Sequence, residues 1–412
     1  MARNSIFVMT NTAATGLFGF VYWGIAAHGY NTRAVGVATA LIAALNLMSL
    51  IGTLGIGQTL LQRLPKADRG EWSRLINCTV FIGAGAGLIV GALGVAILPM
   101  LSSQFSLAWE PDVAVLIVLG TAVLTVTKLL DYVFIAHRAA HHVLSRSLLL
   151  SVGKLALLIA LPIFFSSHGV VAIAASWVAG AALSSVVTVT ILVPGLGRPH
   201  RWTPFGIIGE MRRLGRYLIL NYIISLSAVL IPTVMPLLVV ARVSAAENAY
   251  FYMAWIIANL LLTVSAAVAG TLLAEGAYDP DALSAKVRQG AILIGVLLIG
   301  PALVITLAGR PLLGLFGTEY STHAYVPLLL FLVVVVPDAV TNIYITVLRV
   351  RGRHHVGAVV NLVMSIVTLA LAWVLLPRIG VTAAGWSWAV GQFVGVGIMI
   401  MMTSGPLKPA IT

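Results

Sequence analysis

Runs of about 20 mostly apolar residues recur along the whole chain, separated by short polar segments. A helix of that length crosses the ~30 Å hydrocarbon core of a bilayer. Because lipid offers no hydrogen-bond partner to the backbone, such runs must fold as helices. Charged residues make up only 9% of the chain, far fewer than the surface of a soluble domain carries. The sequence therefore predicts an all-α polytopic membrane protein.

The basic residues predict how the chain is oriented in the membrane. Twelve transmembrane helices are expected near residues 6–27, 35–61, 75–100, 113–136, 146–165, 170–193, 214–241, 249–274, 290–308, 325–348, 356–376 and 382–403. The loops on one side then contain only Arg33, Arg242, Arg310 and Arg378, while the other side receives most of the 24 Lys and Arg residues. Basic residues accumulate in cytoplasmic loops. Both termini are therefore predicted to be cytoplasmic, and the net charge of +12 reflects topology rather than a nucleic-acid partner.

Short sequence words recur at a nearly constant offset. H-H-V at 141–143 reappears at 354–356, which is 213 residues later. S-W-V-A-G at 176–180 matches S-W-A-V-G at 387–391, which is 211 residues later. Any one match is weak, but several in the same order predict an internal duplication.

The duplication predicts two lobes of six helices each. We expect an N-terminal lobe at 1–194, a cytoplasmic linker at 195–213 and a C-terminal lobe at 214–412. Because six is an even number, both lobes enter the membrane in the same orientation. Such parallel repeats are related by a pseudo-two-fold axis along the membrane normal, with a cavity between the lobes.

The histidine-rich segment H-R-A-A-H-H-V at 137–143 first suggests a metal site, because His137 and His141 lie one helical turn apart. A zinc-binding helix carries a glutamate or further ligands at this spacing, and here Arg138 stands in place of that glutamate. Cys78 is the only cysteine. We therefore expect no metal and no cofactor. The segment is interpreted as a cytoplasmic turn that is solvated or contacts anionic lipid headgroups.

Three charged residues lie within the predicted fourth and fifth helices, where each charge is costly. Lys128 and Asp131 lie three residues apart and therefore share one helix face. Lys154 is expected at the same depth as Lys128, about 12 Å from the cytoplasmic helix end. Two interpretations remain open. Lys128 and Asp131 neutralise each other while Lys154 reaches toward the cytoplasm, or the three residues leave a net positive cavity suited to a diphosphate or an acidic sugar.

Asp338 lies near the middle of the predicted tenth helix and has no acidic counterpart in the first half of the chain. This asymmetry predicts a special role, such as coupling to H⁺ or Na⁺. The alternative is a buried protonated carboxyl group that bonds to Thr341 or Asn342.

Two motifs carry a family resemblance. G-T-L-G-I-G-Q-T-L-L-Q-R-L-P at 52–65 contains the glycine-rich L-G-x-G followed by Arg63, and E-N-A-Y-F-Y-M-A-W at 247–255 is similar to a G-x-Y-x-x-A helix start, with Ala249 in place of the usual glycine. The chain resembles the multidrug/oligosaccharidyl-lipid/polysaccharide exporter superfamily, and within it the polysaccharide-transporter branch.

The resemblance implies a flippase of the bacterial cytoplasmic membrane. Its substrate would be a lipid-linked oligosaccharide or polysaccharide precursor of the undecaprenyl-diphosphate type, moved to the external leaflet by alternating access. Asn46 and Asn259, at equivalent positions of the two lobes, would donate amide hydrogen bonds to sugar hydroxyls or merely pack between helices. Arg63 would meet a phosphate at the cytoplasmic mouth or anchor the helix end. Membrane lipids, a coupling ion and glycan-assembly enzymes are the implied partners.

Three other functions stay open. A cation-coupled multidrug antiporter of the same superfamily is disfavoured because the first helix contains no acidic residue. A membrane glycosyltransferase, polymerase or ligase needs exposed catalytic groups and a large external loop. The external side of this chain offers few such groups, since its acidic residues are Glu110, Asp112, Glu247 and Glu319. We therefore expect no enzyme and no catalytic residues. The last possibility is a non-transporting component of a glycan-assembly complex.

Overall fold

The computed structural model describes residues 2–161, 169–196, 226–227, 229–278 and 283–404. The chain forms two compact units, Met1–Leu226 and Ser227–Thr412, which we call lobe 1 and lobe 2. The predicted linker from residue 197 onward and the predicted start of the seventh helix at 214 lie outside the described residues.

Lobe 1 contains seven described α-helices connected by short turns. They are α1 (Ala2–Gly29), α2 (Thr32–Gly52), α3 (Ile56–Arg63), α4 (Arg69–Leu101), α5 (Pro111–Ala136), α6 (Ala140–Ala160) and α7 (Gly169–Val187). Helix α4 packs along α5, and α6 packs against α1 and α7. Helices α4 and α5 approach closely at Gly91, where a Cβ atom would lie 2.8 Å from the Cα atom of Val118.

The predicted second helix is broken in two. Helix α2 ends at Gly52, and the chain then passes through Leu54 and Gly55 at φ values of 49° and 73° before α3 begins. The left-handed region ends a helix, and glycine occupies it without a Cβ penalty. The glycine-rich motif therefore works as a helix break rather than as a continuous helix over 35–61.

Helix α6 begins at Ala140, six residues earlier than predicted. The first turn of α6 contains the histidines that the sequence analysis assigned to a loop. As a result, Arg146 lies inside the helix and is only 6% exposed, whereas the helix predicted over 146–165 would have placed it at the helix end beside the loop.

Lobe 2 contains seven described α-helices. They are α8 (Leu230–Arg242), α9 (Ala245–Tyr278), α10 (Leu283–Gly314), α11 (Thr318–His323), α12 (Tyr325–Val350), α13 (His354–Ile379) and α14 (Thr382–Ser404). Helix α9 packs against α12, and α12 and α13 both pack against α14.

The turn between α5 and α6 has a structural counterpart between α12 and α13. Ala139 precedes α6 at φ −97° and ψ 54°, and Arg353 precedes α13 at φ −90° and ψ 47°. Arg138 and Gly352 both have positive φ, 54° and 73°. These turns are 214 residues apart, so the H-H-V match at an offset of 213 is one residue out of the structural register.

The described helices fit a bilayer. Ten of them are long and apolar enough to span a membrane, and α8 is a shorter apolar helix. Large apolar side chains lie on their outer surfaces, with Met100 82% and Leu307 77% exposed. Exposed apolar surface on this scale would be unstable in water and matches a lipid environment. The predicted class, an all-α polytopic membrane protein, is confirmed.

Candidate functional site

An ion pair between a buried arginine and a partly buried aspartate joins α5 to α6 in lobe 1. Arg146 donates two hydrogen bonds to the Asp131 carboxylate, Nε to Oδ1 at 2.6 Å and Nη2 to Oδ2 at 2.8 Å. Bidentate pairs of this kind are among the strongest polar contacts in proteins. The third guanidinium nitrogen, Arg146 Nη1, is buried and has no hydrogen-bond partner among the residues the structure describes.

Lys128 bonds to neutral oxygens of α2 rather than to Asp131. Its ammonium donates to Asn46 Oδ1 and to Ser49 Oγ, both at 2.9 Å. The open interpretation in which Lys128 pairs directly with Asp131 does not match the structure, because Asp131 pairs with Arg146 instead. The reason is the early start of α6, which brings Arg146 level with Asp131, and a guanidinium fork fits a carboxylate better than an ammonium does.

Lys128, Asp131 and Arg146 together form what we call the lobe-1 cationic cluster. It contains two cations and one carboxylate, so its formal charge is positive. Asn46 positions Lys128, because its Nδ2 donates to the backbone oxygen of Ile42 at 3.0 Å while its Oδ1 accepts from the ammonium. Asn46 thus has a defined role as a support for the lysine.

Lys154 lies apart from this cluster in an aromatic cage. Its Nζ atom lies 3.8 Å from the ring centroid of Trp177 and 5.0 Å from that of Tyr22. The lysine is only 4% exposed. Aromatic faces attract an ammonium through the ring quadrupole, and this attraction grows when water is excluded. The cage therefore holds a desolvated positive charge.

The two lysines do not lie at one depth, which corrects the predicted placement. Lys128 lies eight residues before the end of α5, about 12 Å along the helix. Lys154 lies fourteen residues after the start of α6, about 21 Å along it. The cage also corrects the interpretation that Lys154 reaches toward the cytoplasm.

At the end of lobe 1 that is predicted to be cytoplasmic, Arg63 forms an ion pair with Glu71. The pair joins the end of α3 to the start of α4, which favours the anchoring role of Arg63. Close by in sequence, Trp72 Nε1 donates to His137 Nε2 at 2.7 Å. One histidine of the predicted turn thus packs against α4 as a structural group.

In lobe 2, Asp338 lies at the centre of a polar cluster. Its carboxylate accepts hydrogen bonds from Ser265 Oγ at 2.8 Å, Asn342 Nδ2 at 2.8 Å and Gln392 Nε2 at 3.3 Å. The hydroxyl of Thr341 instead donates to the backbone oxygen of Asp338 at 2.9 Å and lies 3.1 Å from Gln392 Oε1. Asn342 is therefore a carboxylate partner, as one interpretation expected, and Thr341 is not.

Asp338 borders a cavity of about 430 Å³ within lobe 2. The polar and aromatic residues that line it are Ser227, Trp255, Asn259, Thr263, Asp338, Thr341, Asn342, Thr346, Arg349, Asn361, Ser365, Trp388 and Gln392. Asn259 is exposed and lines this cavity. Asn46 and Asn259 therefore differ, since one supports a lysine and the other faces open space.

Several of these groups could not be recognised from the sequence. Arg146 was missed because its helix was predicted to start too late. Tyr22 and Trp177 were missed because aromatic residues in apolar helices have no distinctive spacing. Ser265 and Gln392 reach Asp338 only through the packing of α9 and α14 against α12, which no local pattern reveals.

Comparison with solved structures identifies the fold. The chain matches an inward-facing multidrug resistance MATE family transporter of the MOP superfamily with a TM-score of 0.74 and 15% identity, over 94% of this chain and 93% of the other. It matches the lipid II flippase MurJ, in an inward closed conformation, with a TM-score of 0.74 and 10% identity, over 98% of this chain and 88% of MurJ. A MOP superfamily transporter from Pyrococcus furiosus matches with a TM-score of 0.58 and 15% identity, over 97% of this chain and 93% of the other.

No family model matches the sequence, and no curated protein matches it. The similarity is thus one of fold, and it confirms the fold that the sequence resemblance implied. The matched proteins are transporters and a flippase rather than enzymes.

Proposed function

Since the chain has the fold of MOP superfamily transporters, we propose that it is a transporter that flips a lipid-linked saccharide across the bacterial cytoplasmic membrane. The substrate carries an anionic diphosphate headgroup and moves from the cytoplasmic to the external leaflet by alternating access. The observation that carries the proposal is the lobe-1 cationic cluster, in which a buried guanidinium nitrogen of Arg146 has no partner among the described residues.

The charge balance of the cluster favours an anionic substrate. Asp131 occupies two of the three guanidinium nitrogens of Arg146, and Lys128 is held only by neutral oxygens. A positive surplus in a membrane-embedded lobe is costly, and a diphosphate would offset that cost. Guanidinium and ammonium groups are also the side chains that bind phosphate oxygens best.

We assign Lys154 to a second step of translocation. It lies two helical turns beyond Arg146 on the same helix, so an anion that leaves the cluster could next meet this ammonium. Its aromatic cage keeps the charge desolvated, which strengthens its attraction for an anion. In this scheme Asn46 orients Lys128, and Arg63 anchors the helix end beside the cytoplasmic entrance.

Asp338 is our candidate for coupling to H⁺ or Na⁺. It lies in the middle of α12 and borders the lobe-2 cavity. Its carboxylate and the Ser265 hydroxyl are hard oxygen ligands, which suit a small hard cation or a proton. Binding of either would change the hydrogen bonds that join α9, α12 and α14.

A second candidate is a cation-coupled multidrug antiporter. The observation that favours it is the aromatic lining of the lobe-2 cavity beside Asp338, because tryptophan faces and a carboxylate attract organic cations. The positive surplus of the lobe-1 cationic cluster opposes it, since it would repel such substrates.

The test is flipping by the purified protein in proteoliposomes with a fluorescent undecaprenyl-diphosphate-linked saccharide. We expect Lys128→Glu and Lys154→Glu each to slow flipping at least roughly tenfold, because removing a buried charge contact costs several kcal/mol. Lys66→Glu, at an exposed site on the side predicted to be cytoplasmic, is the matched control and should flip at the wild-type rate.

Three results would contradict the proposal. If the wild-type protein transports ethidium but no lipid-linked saccharide, the antiporter function is favoured over the flippase. If Lys154→Glu flips at the wild-type rate, the cationic route is wrong. A protein that moves neither substrate would be a non-transporting component of glycan assembly.

A further inference from the structure

The lobe-2 cavity is lined by four side-chain amides, an unusual density for a membrane-embedded helix bundle. They belong to Asn259, Asn342, Asn361 and Gln392. Asn259 is exposed and Asn361 is partly exposed, and both line the cavity. Each such amide offers two donors and an acceptor, and polar groups in an apolar setting are costly unless they are paired.

Asp338 fixes the orientation of two of these amides. Asn342 Nδ2 donates both to Asp338 Oδ2 at 2.8 Å and to Ser265 Oγ at 3.1 Å. Both donors of Asn342 are thereby used inside the lobe, and its Oδ1 is left as an acceptor. Gln392 Nε2 donates one bond to Asp338 at 3.3 Å. The carboxylate thus presents a preorganised set of amides rather than a bare negative charge.

Two tryptophans form an aromatic wall of the same cavity. The ring centroids of Trp255 and Trp388 lie 4.6 Å apart with an interplanar angle of 34°. Phe331 packs against both of them, at 5.9 Å and 5.8 Å. Trp388 is only 6% exposed, and its indole N–H has no acceptor in the described part of the chain. A buried donor without a partner calls for an explanation, and a ligand acceptor that reaches the N–H of this cavity-lining residue would supply one.

These features match a sugar ring. A pyranose has apolar C–H faces that pack on aromatic rings, and hydroxyl groups that both donate and accept hydrogen bonds, as amides do. The cavity volume of about 430 Å³ falls within the range of small-ligand pockets. An organic cation fits less well, because Asp338 already accepts three hydrogen bonds and Arg349 lines the same cavity.

We propose that the lobe-2 cavity binds a neutral pyranose unit of the saccharide, with Asn259, Asn361 and the Trp388 indole N–H as its hydrogen-bonding groups. This inference rests on the proposed function and adds to it. The lobe-1 cationic cluster recognises the diphosphate, whereas the lobe-2 cavity recognises the sugar and so determines glycan specificity.

The test compares ligands that differ only in the sugar. Full-length protein in nanodiscs is titrated calorimetrically with farnesyl diphosphate and with farnesyl diphosphate linked to glucose, galactose or N-acetylglucosamine. We expect at least one sugar to tighten binding by about tenfold, since it adds two or more hydrogen bonds and aromatic contact.

Variants of the cavity residues test whether the gain in affinity from the sugar comes from the lobe-2 cavity. Asn259→Ala and Trp388→Phe should each weaken the sugar-bearing probe roughly five- to tenfold, the effect of one lost hydrogen bond. Neither should change the affinity for farnesyl diphosphate. The matched control is Trp386→Phe on the same helix, because Trp386 is 53% exposed and should leave both affinities unchanged. Asn361→Ala gives an independent second variant of the same site.

The results separate this inference from the proposed function. If no sugar adds affinity while the protein still flips lipid-linked saccharide, the lobe-2 inference is overturned and the flippase stands. Equal losses for both probes in Trp388→Phe would also overturn it, because the effect would then not belong to the sugar. If farnesyl diphosphate does not bind and nothing is flipped, the proposed function itself fails.

Discussion

The ion pair between Asp131 and Arg146 predicts a large and reversible change in stability. Asp131→Asn keeps the size of the side chain but removes the charge that Arg146 faces. Arg146 is only 6% exposed, so the variant leaves a buried guanidinium without a counter-charge. Breaking one partner of a buried pair costs about 3–5 kcal/mol.

This free energy corresponds to a clear change in thermal unfolding. For a folding unit of the size of lobe 1, each kcal/mol lowers Tm by roughly 2–4 °C. Asp131→Asn should therefore lower the Tm of lobe 1 by roughly 6–20 °C. The double variant Asp131→Leu, Arg146→Met should recover most of this loss, because an apolar pair of similar volume replaces a buried ion pair at little cost.

Tryptophan fluorescence of the purified protein during heating in detergent measures these shifts. The double variant then serves as a folded protein that lacks the Arg146 guanidinium, and it should flip the lipid-linked saccharide poorly. A Tm of Asp131→Asn within about 2 °C of the wild type would refute the buried pair. Full flipping by the stable double variant would show that Arg146 has only a structural role.

Three further outcomes are expected. Arg138→Gly should raise Tm by a few degrees, because Arg138 occupies a left-handed conformation at φ 54° where the equivalent turn has Gly352. Glycine removes about 1 kcal/mol of backbone strain in this conformation. An unchanged Tm would contradict this prediction. Trp177→Leu should destabilise the wild type by about 1–2 kcal/mol more than it destabilises the Lys154→Met variant. The reason is that only the wild type has the cation–π contact between Lys154 and Trp177. A double-mutant cycle of thermal unfolding measures this difference. Asp338→Asn should make flipping in proteoliposomes insensitive to imposed H⁺ and Na⁺ gradients, whereas a retained response would exclude Asp338 as the coupling site.

The sequence predicted the helical class and the approximate helices because apolar runs of membrane length leave the backbone no alternative. The boundaries were less accurate where polar residues belong to a helix. The histidines after Arg138 resemble a loop in sequence, but α6 begins at Ala140. Because the predicted helix started six residues too late, the sequence did not reveal that Arg146 lies beside Asp131 and forms an ion pair with it.

The contacts of the charged residues could be predicted only in part. Spacing places Lys128 and Asp131 on one helix face, and this geometry allows an ion pair. Which partner each group takes depends on the neighbouring helices, since α2 supplies Asn46 and Ser49 to the lysine and α6 supplies Arg146 to the aspartate. No periodicity within α5 contains this information.

Aligning the two lobes residue by residue shows that equivalent positions of similar helices carry different polar side chains. Helices α5 and α12 have the same length and are 214 residues apart at both ends, so Lys128 corresponds to Asn342. In lobe 1 this position holds a cation, supported by the Asn46 amide. In lobe 2 it holds an amide, oriented by Asp338.

A substrate that combines a diphosphate with neutral sugars requires both kinds of site, and a small organic cation requires neither a positive cluster nor a set of amides. The presence of a lysine at this position in lobe 1 and of an asparagine in lobe 2 therefore favours a lipid-linked saccharide over an organic cation as the substrate. It also predicts that Lys128→Asn, which makes lobe 1 resemble lobe 2, weakens binding of farnesyl diphosphate while the gain in affinity from an attached sugar persists. If the sugar's contribution vanished together with the diphosphate's, the two lobes would not divide recognition in this way.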